Sequence, residues 1–235
     1  MVVLVHGGRH DGWCWHLVQT ELDRLGLTSV APDLEATSLD GDVCAVRGIL
    51  DQAGSAGHAV FLVGHSRAGR ILSAAASGAT CVRGLIYVTA MLLEEDELNP
   101  PGHRPRSAAE INGQADPQLL HEQMYHDVPG DLYAQAVAHL RPVTPQALAH
   151  GPQPTPAAWR SVHTTYVVCT DDRYVDPAVQ RAMARHADRV VEVASSHAPF
   201  LSRPAELAEI IAWQVRERPC KPPPGDRPQS PRRCP

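Results

Sequence analysis

A serine hydroxyl becomes a nucleophile only when its context lifts it clear of the backbone and sets a base within reach. The stretch Gly64-His65-Ser66-Arg67-Ala68-Gly69 meets the first condition. An apolar run, Ala59-Val60-Phe61-Leu62-Val63, precedes it, and a helical pattern from Arg70 to Ala76 comes after it. A serine at a sharp strand-to-helix turn, with small residues two positions away on either side, is a nucleophile elbow. Gly64 and Ala68 are those small residues, and Gly69 lets the helix pack closely on the strands.

The second condition directs attention to the ends of the other strands, where catalytic groups gather in a parallel sheet. The first strand ends in His6-Gly7-Gly8, a loop whose backbone can approach a substrate. The fifth ends at Thr170-Asp171-Asp172-Arg173, and the sixth leads into Ser195-Ser196-His197-Ala198-Pro199. Nucleophile, acid and base thus take the chain order Ser, Asp, His, each just past a strand end. Ser66 is expected to attack, His197 to take its proton, and Asp172 to hold the imidazole in the right tautomer. Asp171, one residue away, reads as a solvated neighbour, though spacing alone leaves that ambiguity open. The backbone N–H groups of Gly8 and Arg67 are expected to bind the oxyanion.

The elements that must position these residues can be read from periodicity. Strands are predicted at Val2 to Val5, Thr28 to Pro32, Ala59 to Val63, Val82 to Val88, Thr164 to Cys169 and Arg189 to Val193. Helices are predicted at Trp15 to Leu25, Val43 to Gln52, Arg67 to Ser77, Pro177 to His186 and Pro204 to Val215. Alternating fully apolar strands with helices implies a doubly wound, mostly parallel sheet of about six strands. From about residue 92 to 158 the rhythm breaks into a Pro- and His-rich segment with helical candidates at Pro117 to Tyr125 and Leu132 to Leu140. So long an insertion between core strands is expected to be a mobile helical cap over a site. The domain then spans 1–217, and the proline-rich tail 218–235 is expected to be disordered.

The 235 residues are 43% hydrophobic and 20% charged with a net charge of −5, and no long basic run marks a nucleic-acid partner. No apolar stretch reaches the roughly 20 residues that span a bilayer, and no secretory leader is read, so a cytoplasmic location is expected. The six cysteines, Cys14, Cys44, Cys81, Cys169, Cys220 and Cys234, lack metal-site spacing. They are read as free thiols, the first four buried and the last two exposed. Oligomeric state is left open, a homodimer included.

Val-Leu-Val-His-Gly-Gly at Val3 to Gly8, continuing through His10, Gly12, Trp13 and Trp15, resembles the opening of the methylesterase and hydroxynitrile lyase branch of the α/β-hydrolase superfamily. Ala31-Pro32-Asp33-Leu34, Tyr166 to Arg173 and Val179-Gln180-Arg181 are similar to that branch too. The resemblance implies the α/β-hydrolase fold, small esters as substrates, no cofactor, and Asp172 as the triad acid. Lyases of that branch carry a hydroxyl residue where Gly7 stands and a lysine where Ala198 stands, so the departures favour hydrolysis.

Together these readings predict a carboxylic ester hydrolase that cleaves a small ester or lactone through an acyl-enzyme on Ser66. A triad-based lyase or cyclase without an acyl intermediate, and a non-catalytic small-molecule receptor on the same fold, are the alternatives. Gly7, Met91, Leu92, Met124, Tyr125 and Trp159 are the candidate substrate-binding residues, and no metal ligands are assigned. Arg67 opposes the macrodipole of the helix it opens. It is expected to face the site and bind a carboxylate or polarised oxygen of the substrate. His6 is expected to orient the oxyanion loop and His65 to pack beside the nucleophile. The cap histidines His103, His121, His126, His139 and His150 are expected to be exposed.

Overall fold

The structure is a computed structural model that describes residues 1–35, 38–95, 97–100, 102, 107–113, 116–148 and 157–217. The tail from 218 onward, with Cys220 and Cys234, and the histidines His103 and His150 lie outside the described residues.

Six strands form one parallel sheet: β1 (Val2–Val5), β2 (Ser29–Val30), β3 (Val60–His65), β4 (Val82–Val88), β5 (Thr164–Cys169) and β6 (Arg189–Val193). Their order is β2-β1-β3-β4-β5-β6, with every neighbouring pair parallel. Parallel neighbours need long crossovers, which helices supply. These are α1 (His16–Arg24), α2 (Leu39–Ser55), α3 (Ala68–Ala75) and α7 (Pro177–Ala184), while the short α8 (Pro199–Ser202) and α9 (Pro204–Glu217) follow the last strand. The β4–β5 insertion holds α4 (Ala108–Asn112), α5 (Pro117–Leu120) and α6 (Gly130–Ala138), and no strand among the described residues.

Both sheet faces are covered, which is why the strands read as continuous apolar runs. On one face Val3, Val5, Leu62, Leu85, Tyr87, Tyr166 and Val168 cluster with Val46 and Leu50 of α2 and Ile71 and Leu72 of α3. On the other, Val2, Leu4, Val63, Ile86, Val88 and Val167 cluster with Val18 and Leu22 of α1 and Leu207 and Ile211 of α9.

Four strands match their predicted bounds, and the other two differ. β3 runs on to His65, one residue short of the serine. The second strand shrinks to two edge residues, beyond which the chain leaves to bring Asp33 Oδ1 onto the Gly12 amide at 2.7 Å. The helix expected from Val43 starts four residues earlier, because the Ser38 hydroxyl caps it by accepting from Gly41 N. Among the cysteines, Cys14 and Cys169 are buried as expected, whereas Cys44 is exposed on α2 and Cys81 partly so.

The registers set the site. Val5 pairs with Gly64, His65 with Val88, and Cys169 with Val193, so the C-terminal ends of the strands lie along one edge. β2 and β3 flank β1 on opposite sides, so the connections diverge between β1 and β3 and open a crevice there.

Candidate active site

Ser66 stands directly after β3 and has φ +54°, a left-handed conformation that a side chain adopts only under constraint. Its amide donates to Val88 O at 3.2 Å, and its carbonyl accepts from Gly69 N and Met91 N at 3.2 and 3.0 Å. Gly69 is obligatory in this turn: a Cβ there would stand 2.3 Å from the Met91 carbonyl oxygen. The hydroxyl so presented lies 3.1 Å from His197 Nε2, and His197 Nδ1 lies 2.6 Å from Asp172 Oδ2. This polarity fixes the tautomer: Nδ1–H donates to the carboxylate, leaving Nε2 to accept from the serine.

The Asp172 carboxylate accepts four further hydrogen bonds. Oδ1 takes the amides of Tyr174 and Val175 at 2.8 and 2.9 Å. Oδ2 takes the Thr89 hydroxyl at 2.8 Å and Gln180 Nε2 at 2.9 Å. Gln180 is fully buried, and its amide orientation is determined by its neighbours. Its Oε1 accepts from Cys169 N at 2.9 Å, an obligate donor, so Nε2 must face Asp172 and the Val175 carbonyl. Asp172 is therefore locked in one rotamer as an acceptor. Asp171 is exposed: its amide bonds Ser195 O at 3.2 Å, and its carboxylate accepts only a long contact from the Thr170 hydroxyl at 3.4 Å among the described residues.

Thr89 and Gln180 are not legible as site residues in the sequence. Gln180 falls inside the stretch that carries the family resemblance, but nothing in its spacing announces a bond to the acid. Thr89 comes directly after β4, and no acid, base or glycine-rich turn marks that strand end. It is buried with φ +40°, an outlier for a β-branched residue.

The loop after β1 is held from both sides by histidines. His6 accepts from Leu34 N at its Nε2 and donates from Nδ1 to Gly7 O, both at 2.9 Å. The peptide whose carbonyl is thus anchored carries the Gly8 amide at its other end. His10 bonds Gly8 O through Nδ1 at 2.9 Å and the Tyr125 hydroxyl through Nε2 at 2.7 Å. Burial pushes the His6 imidazole below its usual range and the His10 imidazole down to about 3, while it pushes the Tyr125 phenol up. Both histidines are consequently neutral, and Tyr125 is the donor to His10. Among the described residues neither Gly8 N nor Arg67 N donates to another group. Gly7 lies against Ser66: a Cβ there would be 2.6 Å from His65 Nδ1 and 3.1 Å from Ser66 Cβ.

His65 in turn donates from Nε2 to His197 O at 2.9 Å and packs edge-on to Phe200. Burial drives it well below the ordinary imidazole range, so it serves as a neutral strut between the elbow and the base loop.

The expectation for the Arg67 side chain needs correction. Its guanidinium is buried, pairs with Asp42 Oδ2 at 2.6 Å, and donates from Nε to Ala147 O at 2.6 Å. The cation that opposes the α3 dipole is thus neutralised from α2, and its charge is taken before a substrate arrives. Of the candidate lining residues, Met91 bonds the Ser66 carbonyl through its backbone amide while its side chain packs against the α3-face cluster, and Met124 and Tyr125 share a cluster with Ala198 and Phe200 beside His197. Leu92 and Trp159 are enclosed in the core cluster on the α3 face, with the Trp159 indole N–H on Leu93 O at 3.1 Å. The insertion's histidines are not simply solvated either: His126 reaches the Asp171 carbonyl and His139 stacks on Trp13 at 4.3 Å.

Comparison with known proteins agrees with this architecture. Methylesterase 7 of Arabidopsis thaliana is 28% identical over 245 aligned residues, covering 89% of this chain and 94% of that protein. The pyrethroid hydrolase of Sphingobium wenxiniae is 28% identical, covering 90% of this chain and 86% of its own length. The crystal structure of a methylesterase from Arabidopsis superposes with a TM-score of 0.77 over 92% of this chain and 98% of that one, at 22% identity, which speaks to the fold. The family model described as "Alpha/beta hydrolase family" matches residues 2–210, and the chain belongs to that family.

Proposed function

We propose that this protein is a serine esterase that hydrolyses a small carboxylic ester or lactone through an acyl-enzyme on Ser66. The observation that carries the reading is the unbroken hydrogen-bonded chain Ser66–His197–Asp172, set beside two backbone amides with no other acceptor among the described residues. The names of the relatives, methylesterase and pyrethroid hydrolase, support ester cleavage as the activity.

In this reading Ser66 Oγ attacks the ester carbonyl while His197 Nε2 takes the hydroxyl proton. The carbonyl oxygen becomes an oxyanion held by the amides of Gly8 and Arg67, each donor lowering the barrier by on the order of 3 kcal/mol. Collapse breaks the bond to the alkoxy oxygen, which leaves as the alcohol with the proton from His197. Water then repeats the sequence: His197 takes its proton as it attacks, the acyl bond to Ser66 breaks with that proton passing to Oγ, and the acid departs. Asp172 stays ionised throughout and stabilises the imidazolium. Met91 and Met124 supply apolar lining for the ester's carbon skeleton, and the β4–β5 insertion acts as the cap.

Pre-steady-state hydrolysis of a short-chain aryl ester, with intact-mass detection, tests this. The wild type should give a burst and a mass increment matching the acyl group. Ser66→Ala should lose both, with turnover reduced at least about 10⁴-fold. A folded protein with neither turnover nor adduct would replace the esterase by a triad-based lyase or cyclase, or by a receptor.

A further inference from the structure

Tyr125, His126 and Asp127 are consecutive in the β4–β5 insertion, yet each touches a different loop of the catalytic edge. Tyr125 donates to His10, which holds Gly8 O in the oxyanion loop. His126 donates from Nε2 to the carbonyl of Asp171, the residue before the triad acid, at 2.9 Å. Asp127 Oδ2 accepts from the amide of Ser196, the residue before the base, at 3.0 Å.

The backbone that delivers them is unusual. α5 does not continue as an α-helix but passes through a π-helical turn, His121–Tyr125. Such turns are rare and often found at functional sites, because the extra residue rotates the next part of the chain onto a new face. Here it seats Tyr125 wholly inside, and the chain then turns so that Asp127 reaches the base loop. Val128 N closes this turn on Tyr125 O at 2.8 Å.

The chemistry of each contact suits positioning. Burial works against the Asp127 charge, yet the hydroxyl and amide of Ser196 and the hydroxyl of Ser202 hold its carboxyl below the usual range. It is therefore an ionised acceptor at neutral pH, and charge-assisted bonds of this kind are the stronger sort. The Tyr125 phenol remains a donor, so the direction Tyr125 to His10 to Gly8 O has no alternative.

We infer that the turn Tyr125-His126-Asp127 is a positioning element of the reaction, holding the oxyanion, acid and base loops in mutual register. None of the three residues touches the reacting atoms; each acts through a neighbour of one that does. The inference rests on the esterase reading for its kinetic test but not for its structural one.

The kinetic test is Asp127→Ala and Tyr125→Phe, with Asp127→Asn as the conservative variant that retains an acceptor oxygen. A misplacement of around 1 Å in a catalytic loop lowers rate by up to about 100-fold, so kcat should fall by about 10- to 100-fold. KM should stay within about twofold, and Asp127→Asn should recover most of the loss, a pattern that simple destabilisation would not produce. In parallel, amide hydrogen exchange needs no substrate. Asp127→Ala should accelerate exchange across 195–198, and Tyr125→Phe across 7–10, with the strands unchanged. Unchanged exchange in both loops, or a raised KM at unchanged kcat, would overturn the inference. Should the wild type neither turn over the ester nor form acyl-Ser66, the esterase reading falls, and hydrogen exchange alone decides the role of the turn.

Discussion

Gly7→Ala offers a sharp test of the geometry, because the space around that residue is fully specified. The added methyl would lie 2.6 Å from His65 Nδ1, roughly 0.8 Å short of ordinary van der Waals contact. The imidazole cannot swing aside freely: its Nε2 is bonded to His197 O and its ring is enclosed by His10, Phe200 and His197. The loop has little freedom either, since His6 and His10 hold the carbonyls of Gly7 and Gly8. The overlap must therefore appear as displacement of the Gly8 amide, of the His197 backbone, or of both. Movement of that size in oxyanion donor or base is worth on the order of 10²-fold in kcat. Overpacking at such a site also costs about 1–3 kcal/mol of stability. Aryl-ester kinetics and urea denaturation would be measured on the same preparations, so that loss of folded protein is separated from loss of rate. A folded Gly7→Ala protein with kcat within twofold of wild type would refute the packing argument.

Thr89→Val keeps the branch but removes the hydroxyl from Asp172. It should lower kcat about tenfold and stability by about 1.5–3 kcal/mol, with Thr89→Ser restoring most of both; equal behaviour of Val and Ser in kinetics would dismiss the hydrogen bond. Asp42→Ala strands the buried Arg67 charge and should cost about 3–5 kcal/mol in urea denaturation, against much less for Arg67→Met combined with Asp42→Leu. A loss below about 1 kcal/mol would mean the pair is solvated. His6, His10 and His65 are buried neutral, so below their ordinary value of 6.5 the unfolded chain takes up protons that the fold refuses. Stability is then complete above that value and is lost as the pH falls, His10's share continuing to about pH 3, at up to about 1.4 kcal/mol per pH unit per histidine. Denaturation at pH 7.5, 6 and 5 reads the slope directly, and a flat profile would contradict the burial of these rings.

The sheet was legible because its signal is local. Val82–Val88, Thr164–Cys169 and Arg189–Val193 are runs rich in apolar and β-branched residues, and they form strands with those bounds. Ser66, Asp172 and His197 were nameable because each comes shortly after such a run, and a parallel sheet brings those ends together whatever lies between them. What stayed hidden depends on contacts between residues distant in sequence. Asp42 and Arg67 are 25 residues apart, and only the packing of α2 on α3 brings them together. Reading Arg67 in isolation therefore left its charge free for a substrate, when the fold had already assigned it a partner.

The two strained residues make the same distinction physically. Ser66 and Thr89 end adjacent strands, both with positive φ, and the Ser66 amide ties them by bonding Val88 O. At Ser66 the tightness of the turn is written into its neighbours, because Gly69 must be glycine for the Met91 backbone to fit and a side chain at Gly64 would press on Leu72. At Thr89 no neighbour carries that mark. The strained backbone is held by its amide on Val167 O at 2.9 Å and by its hydroxyl on Asp172, both formed only once β5 is in place. Strain of about 1–3 kcal/mol persists only where its surroundings over-determine it. A motif reports such strain when sterics enforce it locally. When hydrogen bonds from another strand enforce it, the sequence is silent, and the residue emerges only from the assembled sheet.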